Sequence, residues 1–185
     1  MYNSASDIAI AQITGKVIDD YVNSEALFYP LGAGSAAAIS EFTIGAWLEC
    51  AWRLATVTLD AGQNTLLTAA KAAVQSARAK AQPLYEQKAR REFKSRLDSF
   101  SWYLDGEQSG PGSYTTQAHT RLKLELLKHD VIQTELELRR LDGVDNRLRS
   151  RFANGPFVFE SEVASLAPKN SMWWLYGSIR PIPGS

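Results

Sequence analysis

Chemistry needs side chains that hold a charge, a metal or a nucleophile at a fixed spacing, and this chain of 185 residues offers few such sets. Gly32-Ala33-Gly34-Ser35-Ala36-Ala37 fits G-x-G-x-x-A, the pattern in which glycines let backbone approach a pyrophosphate at a helix N-terminus. That chemistry requires a strand before the glycines and a βαβ unit around them. Pro30 stands where the strand should end, so the stretch reads as a flexible connector. Glu125 and His129 are four apart and share one helix face, with His119 as a further nitrogen donor, yet the Glu-x-x-His pairs of di-metal carboxylate bundles do not occur. Cys50 is the single cysteine and lies between Trp47 and Trp52, an apolar setting that raises a thiol pKa and leaves it inert. Asp19 and Asp20 are adjacent on a helix and diverge. Neither G-x-x-x-x-G-K-[ST] nor G-x-S-x-G is present. No catalytic residue, metal ligand or cofactor is assigned.

Two sets suit binding better than catalysis. Residues 71–96 carry eight Lys and Arg against two Glu, whereas residues 1–62 carry two cations against seven acids. Lys88, Arg90, Arg91 and Lys94 in the basic stretch are the candidate contacts for an acidic partner or for nucleic acid. The same stretch reads more readily as a solvated helix face, because Glu86 and Arg90 form an i,i+4 pair worth only tenths of a kcal/mol. Phe152, Phe157, Phe159, Trp173, Trp174 and Tyr176 form the other set. Trp173 and Trp174 are candidates for an exposed platform, and the cluster as a whole is also a reasonable core for a segment with little secondary structure. Arg147, Arg149 and Arg151 stand close enough in sequence to stack on those rings, or to suit the C-terminal end of a long helix.

The elements that would position these residues are helical. Ile10, Ile13, Val17 and Tyr21 predict a helix over 6–22, and Thr43 opens a second over 43–61. From Thr65 to Asp105 strong helix formers run with hardly a break, and Tyr85, Ala89, Phe93, Leu97, Phe100 and Leu104 make one apolar stripe. Pro83 either kinks this rod or starts a new helix in its first turn. Residues 105–114 read as a loop, with Thr115 or Thr116 capping the next helix. Leu124, Leu127, Val131, Thr134, Leu138, Leu141, Asp145, Leu148 and Phe152 then alternate by three and four. Leu122, Leu126, Ile132 and Leu136 widen that face beyond a two-stranded seam. Arms 65–105 and 116–152 are of similar length, about 60 and 55 Å at 1.5 Å per residue, which predicts an antiparallel hairpin.

Twenty Lys and Arg balance twenty Asp and Glu, and 45% of residues are apolar, which is the composition of a globular chain able to bury a core without metals or disulfides. The expected fold is all-α: an elongated helical bundle over residues 1–152 built on the long antiparallel hairpin, with a short irregular aromatic-rich C-terminal flap over 153–185. The most apolar window, Ile44–Leu59, contains Glu49 and Arg53 and is too short to span a bilayer, and Asp7 interrupts any signal-peptide core, so a cytoplasmic protein without a membrane partner is expected. The functional expectation is a non-catalytic protein–protein interaction or scaffold module with a protein partner or as a homo-oligomer. The alternatives are nucleic-acid binding through residues 71–96 and an enzyme with a site between helices.

Overall fold

The computed structural model describes residues 4–31, 40–106 and 111–180, so the Gly32–Ala37 stretch lies outside the described residues. The described chain is mostly helical, as expected of an all-α sequence. Among the described residues no helix is long and apolar enough to cross a membrane. The chain divides into two compact units, Tyr2–Glu92 and Phe93–Ser185, and the division falls inside one helix.

The N-terminal unit contains α1 (Ser4–Asn23), a short antiparallel pair β1 (Tyr29–Pro30) and β2 (Glu41–Phe42), α2 (Ile44–Leu54), α3 (Ala61–Lys80) and the start of α4 (Gln82–Asp105). α1 packs on α2 and α3, burying Ile10, Ala11, Ile18, Tyr21 and Val22. Phe42 is fully buried and meets the Tyr21 ring edge-on at 5.2 Å. Thr43 caps α2 as expected, its hydroxyl accepting from the Ala46 N–H at 3.1 Å. The next N–H to the front of that helix, at Gly45, donates to the buried Glu92 carboxylate at 2.9 Å, so both an N-cap and a carboxylate meet the positive end of α2.

Two of the expected helix boundaries are corrected here. The helix predicted over 43–61 ends at Leu54, and α3 starts at Ala61 rather than Thr65. Asp60 is the reason: its side chain accepts from the Gln63 N–H at 2.8 Å while the Gln63 side chain accepts from the Asp60 N–H at 3.1 Å. An N-cap residue has extended backbone, φ −71° and ψ 173° in Asp60, so no helix can run through it. The rod predicted over 65–105 is two helices that meet at Ala81, the second of the two outcomes expected of Pro83. Pro83 sits in the first turn of α4, where its missing N–H is harmless, whereas in a continuous rod its ring would clash with the Ala79 carbonyl.

The C-terminal unit contains the rest of α4, then α5 (Pro111–Asp130), α6 (Glu135–Arg151), β3 (Phe152–Phe157) and β4 (Tyr176–Ile179), with 3-10 turns at Ser161–Leu166 and Trp173–Leu175. The predicted stripe of α4 is buried throughout, Tyr85 and Ala89 in the first unit and Phe93, Leu97, Phe100 and Leu104 in this one. α5 starts four and five residues before the predicted caps Thr115 and Thr116, with a proline at its first position. The arm predicted over 116–152 is also divided. Gln133 donates its amide to the Leu127 and Val131 carbonyls at the end of α5, and Thr134 opens α6 with Glu137 in a reciprocal capping box. Thr134 is therefore a cap rather than a stripe position, and Ile132 and Leu136, predicted on the apolar face, are 84% and 62% exposed. Arg140 pairs with Asp98, and Arg147 with Asp105 and with the Ser101 hydroxyl at 2.7 Å. The constant spacing of the two ion pairs means that α4 and α6 run in the same direction. Residues 153–185, expected as irregular, supply the ordered β3–β4 pair, antiparallel, with Phe152 opposite Ile179 and a register shift between Asn154 and Phe157.

Gly177 in β4 has φ +157°, and a Cβ there would stand 2.1 Å from the Ala153 carbonyl oxygen and 2.8 Å from the Phe152 ring. Gly15 on α1 is the opposite case, since its Cβ would meet the Ala70 Cα of α3 at an ordinary 3.9 Å. In urea denaturation Gly177→Ala is expected to lose about 2 kcal/mol or more through backbone strain. Gly15→Ala is expected to gain about 0.5–1 kcal/mol through helix propensity. Equal effects at the two sites would contradict this packing.

Candidate functional site

The most densely built polar site is in the C-terminal unit, on one face of α5. Tyr114, Ala118, Arg121 and Glu125 step by four, three and four residues along that face, and all four are buried. Arg121 is 2% exposed. Its Nε and Nη2 donate to the two carboxylate oxygens of Asp145 on α6, both at 2.8 Å, and its Nη1 donates to Glu125 at 3.0 Å. The face of the same guanidinium lies 3.9 Å from the centre of the Trp174 ring. Arginine has a planar fork whose N–H groups all point outward in the plane, so one side chain serves two carboxylates by its edge and an aromatic ring by its face. One turn earlier, the Tyr114 hydroxyl donates to the Trp174 carbonyl at 2.7 Å. Trp174 is thus held at its ring and at its backbone, both times by α5.

Charge follows the same logic. Burial alone would lower the Arg121 pKa, but Asp145 and Glu125 outweigh it and hold the group above its ordinary value. Burial would raise Glu125, and here hydrogen bonding from Lys128 and the charge of Arg121 prevail, keeping the carboxyl below the usual range. Glu125 also takes Lys128 at 2.7 Å and the His129 Nε2 at 3.0 Å. His129, paired with Glu125 as its spacing suggested, is an exposed hydrogen-bond partner of that carboxylate. His119 is about 15 Å away along the helix axis at 1.5 Å per residue and stacks on Phe159 with centroids 4.3 Å apart. The two histidines do not converge. Among the described residues no group of three or more His, Cys, Asp or Glu could hold a metal ion.

The remaining candidates separate clearly. Lys88 is 4% exposed; its ammonium donates to the Ser24 hydroxyl at 3.0 Å and to the Ala26 carbonyl, and lies 4.4 Å from the Tyr21 ring centre. Burial, followed by the charge of Arg91, lowers its pKa. Arg90 pairs with Glu86 at 3.1 Å, and Lys94, in the other unit, with Asp98 at 3.0 Å. Arg91 is exposed. Trp174 is core, whereas Trp173 is half-buried, edge-on to Phe152 at 5.0 Å and covered on its face by the exposed Arg149 at 3.9 Å. Cys50 is buried, its thiol donating to the Asp7 carbonyl at 3.0 Å, and burial with the nearby Asp7 and Glu49 carboxylates pushes its pKa up. Glu49, one of the two charges in the apolar window of the sequence, is 7% exposed. Asp19 and Asp20 are both exposed, and Asp19 takes Lys80 at 3.2 Å.

A recess of about 450 Å³ lies where the first turns of α5 meet β3 and β4, lined by Tyr114, Thr115, Pro156, Phe157 and Ser178 among others. Among the described residues no Asp, Glu, His, Lys or Cys lines it, and its one phenol is committed to Trp174. Sequence reasoning missed Arg121 and Asp145 as a buried pair. The available signal was an arginine four before a glutamate, flanked by Leu122 and Leu124 on an apolar face. No family model, curated protein or solved structure matches the chain.

Replacing Arg121 by Met takes the guanidinium from the half-buried Asp145 and the buried Glu125, and a loss of about 3–5 kcal/mol in denaturant unfolding is expected. A loss below 1 kcal/mol would show that the pair contributes little. The acid side follows from sign. The lowered pKa values of Glu125 and of Asp98, the latter hydrogen-bonded by Arg140, stabilise the folded state above the ordinary carboxylate range. That contribution is lost as pH falls through their folded values, so unfolding midpoints should stay flat from pH 7 to about 5 and fall steeply below about 4. A decline that starts near pH 6.5 would contradict this assignment.

Proposed function

We propose that this chain is a non-catalytic protein–protein interaction module, carrying a surface in its C-terminal unit for a protein partner or a second copy. One observation carries the reading: Trp102 on α4 is 80% exposed, and Ile132 and Leu136, at the junction of α5 and α6, are 84% and 62% exposed. Scattered exposed aliphatics are ordinary, but a tryptophan standing almost wholly in water is costly, and tryptophan is the residue type that most often dominates binding energy once covered. The ionisable clusters support the same reading, because the groups with shifted pKa values are explained by internal partners or burial rather than by an open cleft. In this reading the second half of α4 and α5 form an antiparallel hairpin within a helical bundle. Residues 153–185 form a flap on that bundle, and the chain works as a scaffold in the reducing cytoplasm, where the single buried Cys50 is at ease.

The nucleic-acid alternative rests on the cations that remain exposed in the basic stretch, among them Lys71 and Arg91. Affinity capture from native lysate, split into nuclease-treated and untreated halves, separates the two. The interaction reading expects a protein retained after nuclease and lost when Trp102→Glu and Leu136→Glu are introduced together, with the fold unchanged by circular dichroism. Retention that disappears with nuclease, or with Lys71→Glu and Arg91→Glu, would transfer the function to nucleic acid. Retention indifferent to all four substitutions would contradict both.

A further inference from the structure

Adjacent tryptophans of one 3-10 turn, Trp173 and Trp174, each carry an arginine on the ring face at 3.9 Å. In the buried member, Arg121, the in-plane N–H groups are satisfied by Asp145 and Glu125. The exposed member, Arg149, has the same stacking, but none of its N–H groups donates to a carboxylate among the described residues. It differs in this from three other arginines of α6. Arg139 pairs with Glu135, Arg140 with Asp98 and Arg147 with Asp105. Close by, the Arg180 guanidinium donates to the Phe152 carbonyl at 3.1 Å, and Phe152 is the residue against which Trp173 packs. Two exposed guanidiniums therefore stand at the end of α6, Arg149 on the Trp173 ring and Arg180 on the Phe152 carbonyl.

We infer that Arg149, stacked on Trp173, is the docking point for a carboxylate of an acidic peptide segment in a partner protein, with Arg180 as the second cation. Stacking uses the guanidinium face and leaves the edge donors outward, so the ring fixes the fork before the partner arrives and lowers the entropy lost on binding. The buried Arg121 site shows the arrangement completed, with a bidentate carboxylate in the plane of a stacked guanidinium. An acidic peptide fits better than nucleic acid. The Arg149 side chain already covers a face of Trp173 on which a base would stack, and the chain as a whole carries as many acids as bases, whereas nucleic-acid affinity draws on many phosphate contacts. The inference rests on the interaction reading only in requiring a protein partner, since its surface is not that of Trp102, Ile132 and Leu136.

The test is fluorescence anisotropy of a labelled hexaglutamate peptide against the full chain at low salt. Saturable binding is expected. Arg149→Gln should weaken it about tenfold, the value of one charge-assisted bidentate pair. Arg149→Lys, which keeps the charge and loses the fork, should recover less than half of that loss. Arg139→Gln removes the same charge from the same helix and should change affinity less than twofold. Because Arg149 is exposed, its variants should unfold at the wild-type midpoint, and the Lys variant serves as the test if the Gln variant does not. Absence of saturable binding, equal losses at Arg139 and Arg149, or full recovery with Lys would overturn the inference. So would an oligothymidylate that binds more tightly than hexaglutamate with the same dependence on Arg149. Hexaglutamate failure beside Trp102-dependent capture removes this site alone, and the reverse pattern removes the Trp102 surface and leaves this one.

Discussion

An arginine withdrawn from water keeps its proton, so the structure around Arg121 has to be arranged to hold a positive charge. Asp145 must come from α6 to the right height, Glu125 must follow one turn later on α5, and Trp174 must return from a distant part of the chain to cover the guanidinium face. These demands fix three things at once: the register of α5 against α6, the placement of the 3-10 turn at Trp173–Leu175, and through it the start of β4. Hydrophobic burial alone would not choose among sliding registers of two leucine-rich helices, whereas a bidentate pair at 2.8 Å does. The arrangement costs desolvation, offset by Coulomb attraction and complete hydrogen bonding, and its value is greater in specifying one packing than in net stability.

The same device recurs with less burial. Lys88 sits over Tyr21, Arg78 over Tyr85 and Arg149 over Trp173, each a cation laid on a ring by a helix. A stretch that looks like a basic stripe in sequence is thereby partly turned inward, and the rest is largely matched by acids such as Glu86 and Asp98 on neighbouring turns. The neutral overall balance is the visible trace of this matching. Outward in the C-terminal unit stand Trp102, Ile132 and Leu136 as apolar groups, and Arg149 and Arg180 as cations that meet no carboxylate among the described residues.

The helical class and the buried stripe of α4 were legible because periodicity reports a face directly: Tyr85 to Leu104 step by three and four and all six are buried. Helix ends were less legible, since propensity is nearly flat across Gln63 or Leu136 and the deciding signals are short. Asp60-x-x-Gln63 and Thr134-x-x-Glu137 are both capping boxes, and each divides what hydrophobic period alone joins into one rod. Ile132 and Leu136 were misplaced for that reason, their spacing being helical while the helix restarts between them. Trp174 and Trp173 differ in burial although adjacent, which no one-dimensional pattern reveals. The Arg121 pairings join residues 24 and 53 positions apart and depend on packing, beyond the reach of local spacing.

If Arg121 is the interaction on which the C-terminal unit is registered, its loss should be felt where the chain returns to meet it. Hydrogen exchange followed by mass spectrometry on Arg121→Met, at a temperature where the variant is still folded, measures this directly. The account predicts that amides of β3, β4 and the turn at Trp173–Leu175 lose protection by at least tenfold, while those of α1 and α3 exchange as in the wild type. Unchanged protection in β3 and β4 would contradict it, and would mean that aromatic packing alone holds the C-terminal segment in place.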